Sequence, residues 1–464
     1  MRDLSNLSGR WLLIILLGLS GCAHTVTSER PQATQQHWEA PRLTTQDSPL
    51  PLTEPWWQTL NAPVLNQLIE QALAANPDVQ SAWLSLSRAQ INLQGVQSDR
   101  LPLNVTAGAQ TQASSHSNTS GIQRQESAQL GLNASYEIDL WGRVAALETA
   151  GEASFQASYF DWQAAQLSLS ISVAETWFQW LALNAQHTSA TAHLQRSLQQ
   201  LQLLEARAAA GSVTPADLSR QRSSVISQQN SLDNLVQQKH QTRRALALLL
   251  GQSAYAWQPP EADLNTFYLP SPDPGLPTEL ISRRPDLASQ EARLVAAEAN
   301  LVQARAALYP SLSLQTSASL ASDSLSFSDP TRSLNLTASL LQTLFDRGSR
   351  QRQIAMTDLQ RLELLESYRK ALLSALVEVE NALDRLHYAN QTEQRQLELV
   401  RVQQQLLDQT LSHYRHGSET LSNLLDAQTS LAQAQDQQIQ LRVAHLQAGL
   451  DLYKALGGGF TFER

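Results

Sequence analysis

YPSLSLQTSASL, residues 309–320, is where the period of the chain changes. The preceding stretch, 285–308, reads as a helix, and Pro310 stops it because proline drives the residue before it away from helical backbone. Alternation takes over, with Leu312, Leu314, Thr316 and Ala318 falling on one face. A second alternating run, Leu334, Leu336, Ala338 and Leu340, follows a polar loop, Ala321–Arg332. Period two marks strands with one apolar and one wet face, and a length near 10 residues suits a strand of a membrane barrel.

The same passage occurs earlier in the chain. Leu101-Pro102 lies 208 residues before Tyr309-Pro310, and Asn76-Pro77-Asp78 lies 208 before Arg284-Pro285-Asp286. Gly211-Ser212 and Leu250-Gly251 recur 206 residues on, at Gly417-Ser418 and Leu456-Gly457. The chain is therefore two copies of one unit, 61–251 and 277–457, with a Pro- and Asp-rich linker, 252–276, between them. Copy one has its own helix, 77–99, and a strand pair within 102–139. Its first strand places Leu103, Val105, Ala107 and Ala109 opposite Asn104, Thr106, Gly108 and Gln110. Its return strand places Leu130, Leu132, Ala134, Tyr136 and Ile138 opposite Gln129, Gly131, Asn133, Ser135 and Glu137. Ser114–Ser127 reads as the polar loop between them. The second strand pair falls within 311–341.

Long helices follow the strands. Residues 144–210 contain no proline and one glycine, Gly151, and at 1.5 Å per residue would run about 100 Å. Leu167, Ile171, Ala174, Phe178 and Leu181 form a 4-3-4-3 seam, repeated by Leu372, Leu376, Val379, Leu383 and Leu386 in the helix 350–416. Such seams signal coiled-coil packing. Gly211 and Gly417 end these helices, and return helices are expected over 215–250 and 420–456. Gln195, Gln199, Gln202, Gln403, Gln404 and Gln405 leave the long helices wet outside the seam.

The first 21 residues read as a signal peptide: Arg2 and Arg10, then an apolar core from Trp11 to Leu19, too short to span a bilayer. Leu19-Ser20-Gly21-Cys22 has the form of a bacterial lipobox, and the sole cysteine of the chain is the expected lipidation site. Ala23, rather than Asp, after it leans towards the outer membrane. One lipid anchors only partly, so a second membrane contact is expected beyond the extended segment 22–60. After residue 22 no apolar run reaches 18 residues, leaving a β-barrel as the means of crossing. A net charge of −9 argues against a nucleic-acid partner.

Four strands cannot close a membrane barrel, whose smallest examples have about eight, and open edges in lipid are costly. The chain must oligomerise; two copies would give a barrel filled by side chains, three a twelve-stranded barrel with a lumen. A barrel continued by a long helical tube is a conduit across the periplasm.

Several motifs now align. Pro55-Trp56-Trp57, Ala75-Asn76-Pro77-Asp78, Asp139-Leu140-Trp141-Gly142-Arg143, Arg283-Arg284-Pro285-Asp286-Leu287, Ala304-Arg305-Ala306-Ala307-Leu308-Tyr309-Pro310 and Leu424-Leu425-Asp426-Ala427-Gln428 occur in order. Together they resemble the outer membrane factor family of TolC-like channels, in its lipoprotein drug-efflux branch. That resemblance implies a mixed α and β membrane protein: a homotrimer with a shared twelve-stranded barrel and a coiled-coil helical tunnel. It also implies partners, a periplasmic adaptor and an inner-membrane RND transporter, and passive export of small molecules such as drugs.

The resemblance further implies a gate at the periplasmic tip, where Asp426 would form a carboxylate ring in the trimer. The family's bulky apolar residue four positions earlier is here Ser422, so Leu421 or Leu425 would have to supply the apolar part. Asp217 is the tip acid of copy one. Gly211, Ser212, Val213 and Thr214, with Gly417, Ser418, Glu419 and Thr420, are the expected adaptor-docking tips; turn chemistry accounts equally for their glycines. Trp141 and Phe345 are candidates for a membrane-interface girdle, or for simple junction packing. No HExxH, GxSxG or phosphate-binding glycine loop occurs, so no catalytic residue or cofactor is expected. His413 and His416 share a helix face, but no third ligand accompanies them and no metal site is expected. Two rivals remain: the outer duct of a type I secretion system, and a structural envelope-tethering lipoprotein, which predicts no β-structure. Residues 458–464 form a short tail.

Overall fold

The computed structural model describes residues 27–31, 37–40, 55–60, 62–99, 106–118, 121–255, 257–268, 270, 272–275, 277–322 and 330–459. Side chains of 99, 106–128 and 281 are outside that description, as is the lipidation candidate Cys22. Copy one runs α1 (Pro63–Ala75), α2 (Pro77–Asp99), β1 (Thr106–Asn118), β2 (Gly121–Ile138), α3 (Arg143–Ala209) and α4 (Pro215–Leu249). Copy two repeats the order with a shortened first helix: α5 (Leu280–Arg283), α6 (Pro285–Ala306), β3 (Ser311–Ser322), β4 (Thr331–Leu341), α7 (Ser349–Arg415) and α8 (Leu421–Ala455). No described helix is long and apolar enough to cross a membrane.

Backbone contacts divide the chain into two units. The first comprises Met1–Pro31, Ser85–Tyr159 and Ser289–Arg369. It carries one antiparallel sheet of order β1-β2-β3-β4. The two hairpins join through Leu130↔Leu320, Ala134↔Thr316 and Ile138↔Leu312, so the copies pair with each other. Within the expected polar loop Ser114–Ser127, residues 114–118 and 121–127 are instead strand: the ladder continues from Ser114↔Gln125 to Asn118↔Gly121. Backbone pairing does not need apolar side chains, and Ser, Thr and Gln extend a ladder wherever the register is already held from below.

The second unit comprises Gln32–Leu84, Phe160–Ala288 and Lys370–Arg464. Its main core joins the seam residues Leu167, Ile171, Ala174, Phe178 and Leu181 to Trp56, Leu65, Ile69, Trp177, Leu246, Leu450 and Tyr453. A second cluster gathers Leu372, Leu376, Val379, Leu383 and Leu386 with Trp38, Leu280, Leu287 and Leu452. The linker is stitched to this core: Trp177 donates to the Pro260 carbonyl at 3.2 Å, Tyr453 to Pro270 at 2.8 Å and Trp38 to Gly275 at 2.9 Å.

The four long-hairpin helices end alike. At each, a glycine with positive φ closes a pair of bonds, for example Gly417 N–H to the Tyr414 carbonyl and Ser418 N–H to His413. This is the Schellman stop, and it recurs at Gly211, Gly251 and Gly457. At Gly251 and Gly457 the backbone of the other helix pair presses in. The Asn76 amide donates to the Leu249 carbonyl at 2.9 Å, and the Arg284 guanidinium to the Ala455 carbonyl at 3.2 Å. Each copy thus locks its return helix onto the residue before its α2-type helix.

Candidate functional site

The sheet has two chemically distinct faces. Leu130, Leu132, Tyr136, Leu312, Leu314, Leu320, Leu334, Leu336 and Leu340 lie in register on one of them. Leu334 and Leu336 are 78% and 72% exposed, so within one chain this face has nothing to pack on. The opposite face carries Gln129, Asn133, Ser135, Ser313, Gln315, Ser317, Ser319, Ser333, Asn335 and Thr337. Side-chain bonds link it, such as Ser319–Ser333 at 2.6 Å. Among the described residues its one acid, Glu137, is held by Arg143 at 2.8 Å. β1 and β4 end the sheet without partners among the described residues. A sheet with one lipid-like face, one water-like face and two open edges is a segment of a barrel wall.

Where sheet gives way to helix, the Trp141 ring stacks on Tyr309 at 4.7 Å and its N–H donates to the Pro310 carbonyl at 2.8 Å. Trp141 is thus packed at the sheet-to-helix junction, whereas Phe345 is 83% exposed.

The hairpin ends place the other candidates. Thr214 caps α4, and its hydroxyl donates to the Asp217 carboxylate at 2.6 Å while accepting the Asp217 N–H at 3.1 Å. Asp217 is thus engaged by the N-cap hydroxyl through both its N–H and its carboxylate. At the second tip Thr420 accepts from Asn423 N–H at 3.3 Å, and the Glu419 carboxylate accepts from the Asn423 amide. Ser212 and Ser418 hydroxyls donate to the Arg207 and His413 carbonyls at 2.9 and 3.1 Å. Gly211, Gly417, Ser212, Ser418 and Thr214 are exposed, Val213 and Glu419 half-buried. On α8, Asp426 is exposed, Ser422 and Leu425 are half-buried, and Leu421 is buried at 7%. Leu421 is buried, so of the two apolar alternatives Leu425 is the one with free surface. Among the described residues no hydrogen bond or ion pair holds the Asp426 carboxylate. No group of three or more His, Cys, Asp or Glu among them could hold a metal ion.

Sequence reasoning missed the polar groups that fasten the helices together. Glu393 on α7 accepts from His445 and from Arg442 (3.2 Å) on α8, and Arg442 also reaches the Phe267 carbonyl of the linker. Burial pushes the Glu393 carboxyl up, but the His445 hydrogen bond and the Arg442 charge prevail and hold it below the usual value. Glu298 on α6 is engaged in the same way by the N-terminal segment. Neither contact has a local sequence signal, because the partners lie 49 to 270 residues apart.

Two copies of a strand hairpin, long helical hairpins with seamed cores, and a sheet divided into apolar and polar faces define a TolC-like outer-membrane channel. The chain belongs to the outer membrane efflux protein family, whose model matches residues 68–252 and 276–458. It is 39% identical over 427 residues, 88% of each chain, to the pyoverdine export outer membrane protein OpmQ of Pseudomonas aeruginosa. It is 30% identical, over 96% of this chain and 94% of the relative, to the probable efflux pump outer membrane protein TtgC of Pseudomonas putida. The open-state MtrE outer membrane channel of Neisseria gonorrhoeae superposes with a TM-score of 0.83 at 26% identity, covering 94% and 98% of the two chains. The protein is an outer-membrane efflux duct, and the family is not enzymatic.

Proposed function

We propose that three copies of this chain close a twelve-stranded barrel and a helical tunnel, forming the outer-membrane exit of a tripartite pump. The observation that carries this reading is the four-stranded sheet with an unpartnered apolar face and two open edges. Three such sheets leave no edge and enclose an aqueous lumen lined by the amide and hydroxyl face. A periplasmic adaptor docks at the tips 211–214 and 417–420, and an inner-membrane RND transporter supplies the energy. Cys22 carries lipid in the outer membrane. Asp426, unengaged and exposed beside Ser422, forms the acidic ring that closes the tunnel. The cargo is small molecules such as drugs. The relative named for pyoverdine export supports a second cargo, pyoverdine.

In-cell crosslinking of the tagged protein with identification of its partners tests the assembly. Recovery of an adaptor and a proton-driven pump is expected; an ATP-driven transporter with a secreted protein would move the duct to type I secretion. In planar bilayers, D426N should weaken cation preference and enlarge conductance. Unchanged values would remove Asp426 from the gate.

A further inference from the structure

Residues 27–31 are fastened into the first unit by an ion pair and a backbone hydrogen bond to Glu298. Glu298, buried on α6, accepts the Ser28 N–H at 2.6 Å and both terminal nitrogens of Arg30 at 2.8 and 3.1 Å. Arg30 also faces Glu291, one heptad earlier on the same helix, at 3.7 Å. From α7, Arg361 donates to the Ser28 hydroxyl at 2.6 Å while pairing with Asp358. Burial alone would push the Glu298 carboxyl up; the bonds from Arg30 and Ser28 more than offset it and hold it ionised. A buried carboxylate satisfied wholly by a passing segment is a receptor for that segment.

Chain length gives the contact its meaning. Ser28 follows Cys22 by six residues, which reach at most about 20 Å when fully extended. From Glu298 to the end of α6 at Ala306 is eight residues, about 12 Å of helix, and β3 starts five residues later. A lipid on Cys22 is therefore held within reach of the rim where the sheet begins.

We propose that Glu298, with Arg361, is the docking site for the acylated N-terminal segment, fixing the lipid at the sheet's rim so that anchor and barrel enter the membrane as one body. This rests on the lipidation reading of Cys22. The clamp turns a loose single-lipid tether, weak by itself, into a positioned one.

The test is a charge-exchange rescue in the full-length protein. Arg30→Glu and the exchanged pair Arg30→Glu with Glu298→Arg are made in two backgrounds. One is acylated; the other carries Cys22→Ser behind an ordinary cleavable signal peptide. Membrane-inserted trimer is measured by protease protection and native mass. Arg30→Glu should lower inserted trimer several-fold in the acylated background, the exchanged pair should restore it, and neither should matter without the lipid. An equal loss in both backgrounds would make the pair an ordinary folding contact and overturn the proposal, as would no loss in either. Mass spectrometry of the N-terminal peptide reads the underlying assumption separately: an unmodified Cys22 overturns lipidation itself.

Discussion

Replacing Gly457 by alanine should damage this protein far more than replacing Gly417, although both end a long helix in the same motif. Gly417 has φ +74 and open space where a Cβ would stand. Alanine there bears only the left-handed backbone penalty, about 1–2 kcal/mol. Gly457 has φ +91, and its Cβ would fall 2.1 Å from the Arg283 carbonyl oxygen. A carbon and an oxygen normally approach to about 3.3 Å, so backbone must move by roughly 1 Å. The backbone in the way leads directly into Arg284, whose guanidinium holds the Ala455 carbonyl, Asp286 and Glu378. The cost should exceed about 4 kcal/mol, the range reserved for a disrupted buried network. Gly251→Ala should follow Gly457→Ala, because its Cβ would meet the Ala75 carbonyl at 2.4 Å. Tryptophan-fluorescence melting of the detergent-solubilised proteins at one scan rate gives the ranking even if unfolding is irreversible. The tip variants Gly211→Ala and Gly417→Ala should melt within a few degrees of the parent, the junction variants well below them. Equal midpoints for Gly417→Ala and Gly457→Ala would refute the junction as a rigid lock.

Other variants read the remaining claims. Leu336→Arg places a charge on the apolar face at about 2–4 kcal/mol near the bilayer midplane and should abolish membrane insertion, while Asn335→Arg, one residue away on the polar face, should insert normally; equal insertion would invalidate the face assignment. Glu393→Gln leaves Arg442 and His445 without their acceptor charge and should cost about 2 kcal/mol at neutral pH, measured by the same melts. Glu393 has a folded-state pKa depressed below its ordinary 4.5, so its contribution is complete above that value and is lost as pH falls through the lower, folded one. The gap between parent and Glu393→Gln should therefore close on acidification below about pH 4.5; a gap constant with pH would show that packing, not charge, is at stake.

The architecture was legible because it is periodic. Alternation located the strands, the 206–208-residue offset located the copies, and the seams anticipated residues such as Ile171 and Val379, which are 1% and 0% exposed. What escaped has physical reasons. α1 has only a short signal: Leu65, Leu68, Ile69 and Ala72 share one helical face after Pro63, but thirteen residues ending at Asn76-Pro77 do not stand apart from the next helix in the sequence. The outer reach of the β1–β2 ladder reads as loop in the sequence because its side chains are polar, whereas pairing there is a backbone property. The Arg30–Glu298 and Arg442–Glu393 contacts have no periodicity, since each is a meeting of distant segments.

The two tips show how the copies have diverged, and that divergence separates folding from gating. At an offset of 206, Asp217 corresponds to Asn423, and Asp426 to Arg220. In copy one the acid is part of the cap, bonded to Thr214. In copy two Asn423 fills the capping position, and the acid stands three residues further on, exposed and without a structural partner among the described residues. Asp217→Ala should therefore lose a capping interaction, about 1 kcal/mol, and fray the start of α4. Asp426→Ala should leave the melt unchanged, since an exposed, unengaged carboxylate contributes nothing to the hairpin. Hydrogen exchange at residues 215–220 and 421–426 resolves the two effects, with bilayer conductance measured beside it. Faster exchange in the first variant and altered conductance in the second is the expected pattern. A destabilised second tip in Asp426→Ala would mean that the acid is structural after all, and the gate would then have to be sought among its neighbours Ser422 and Leu425.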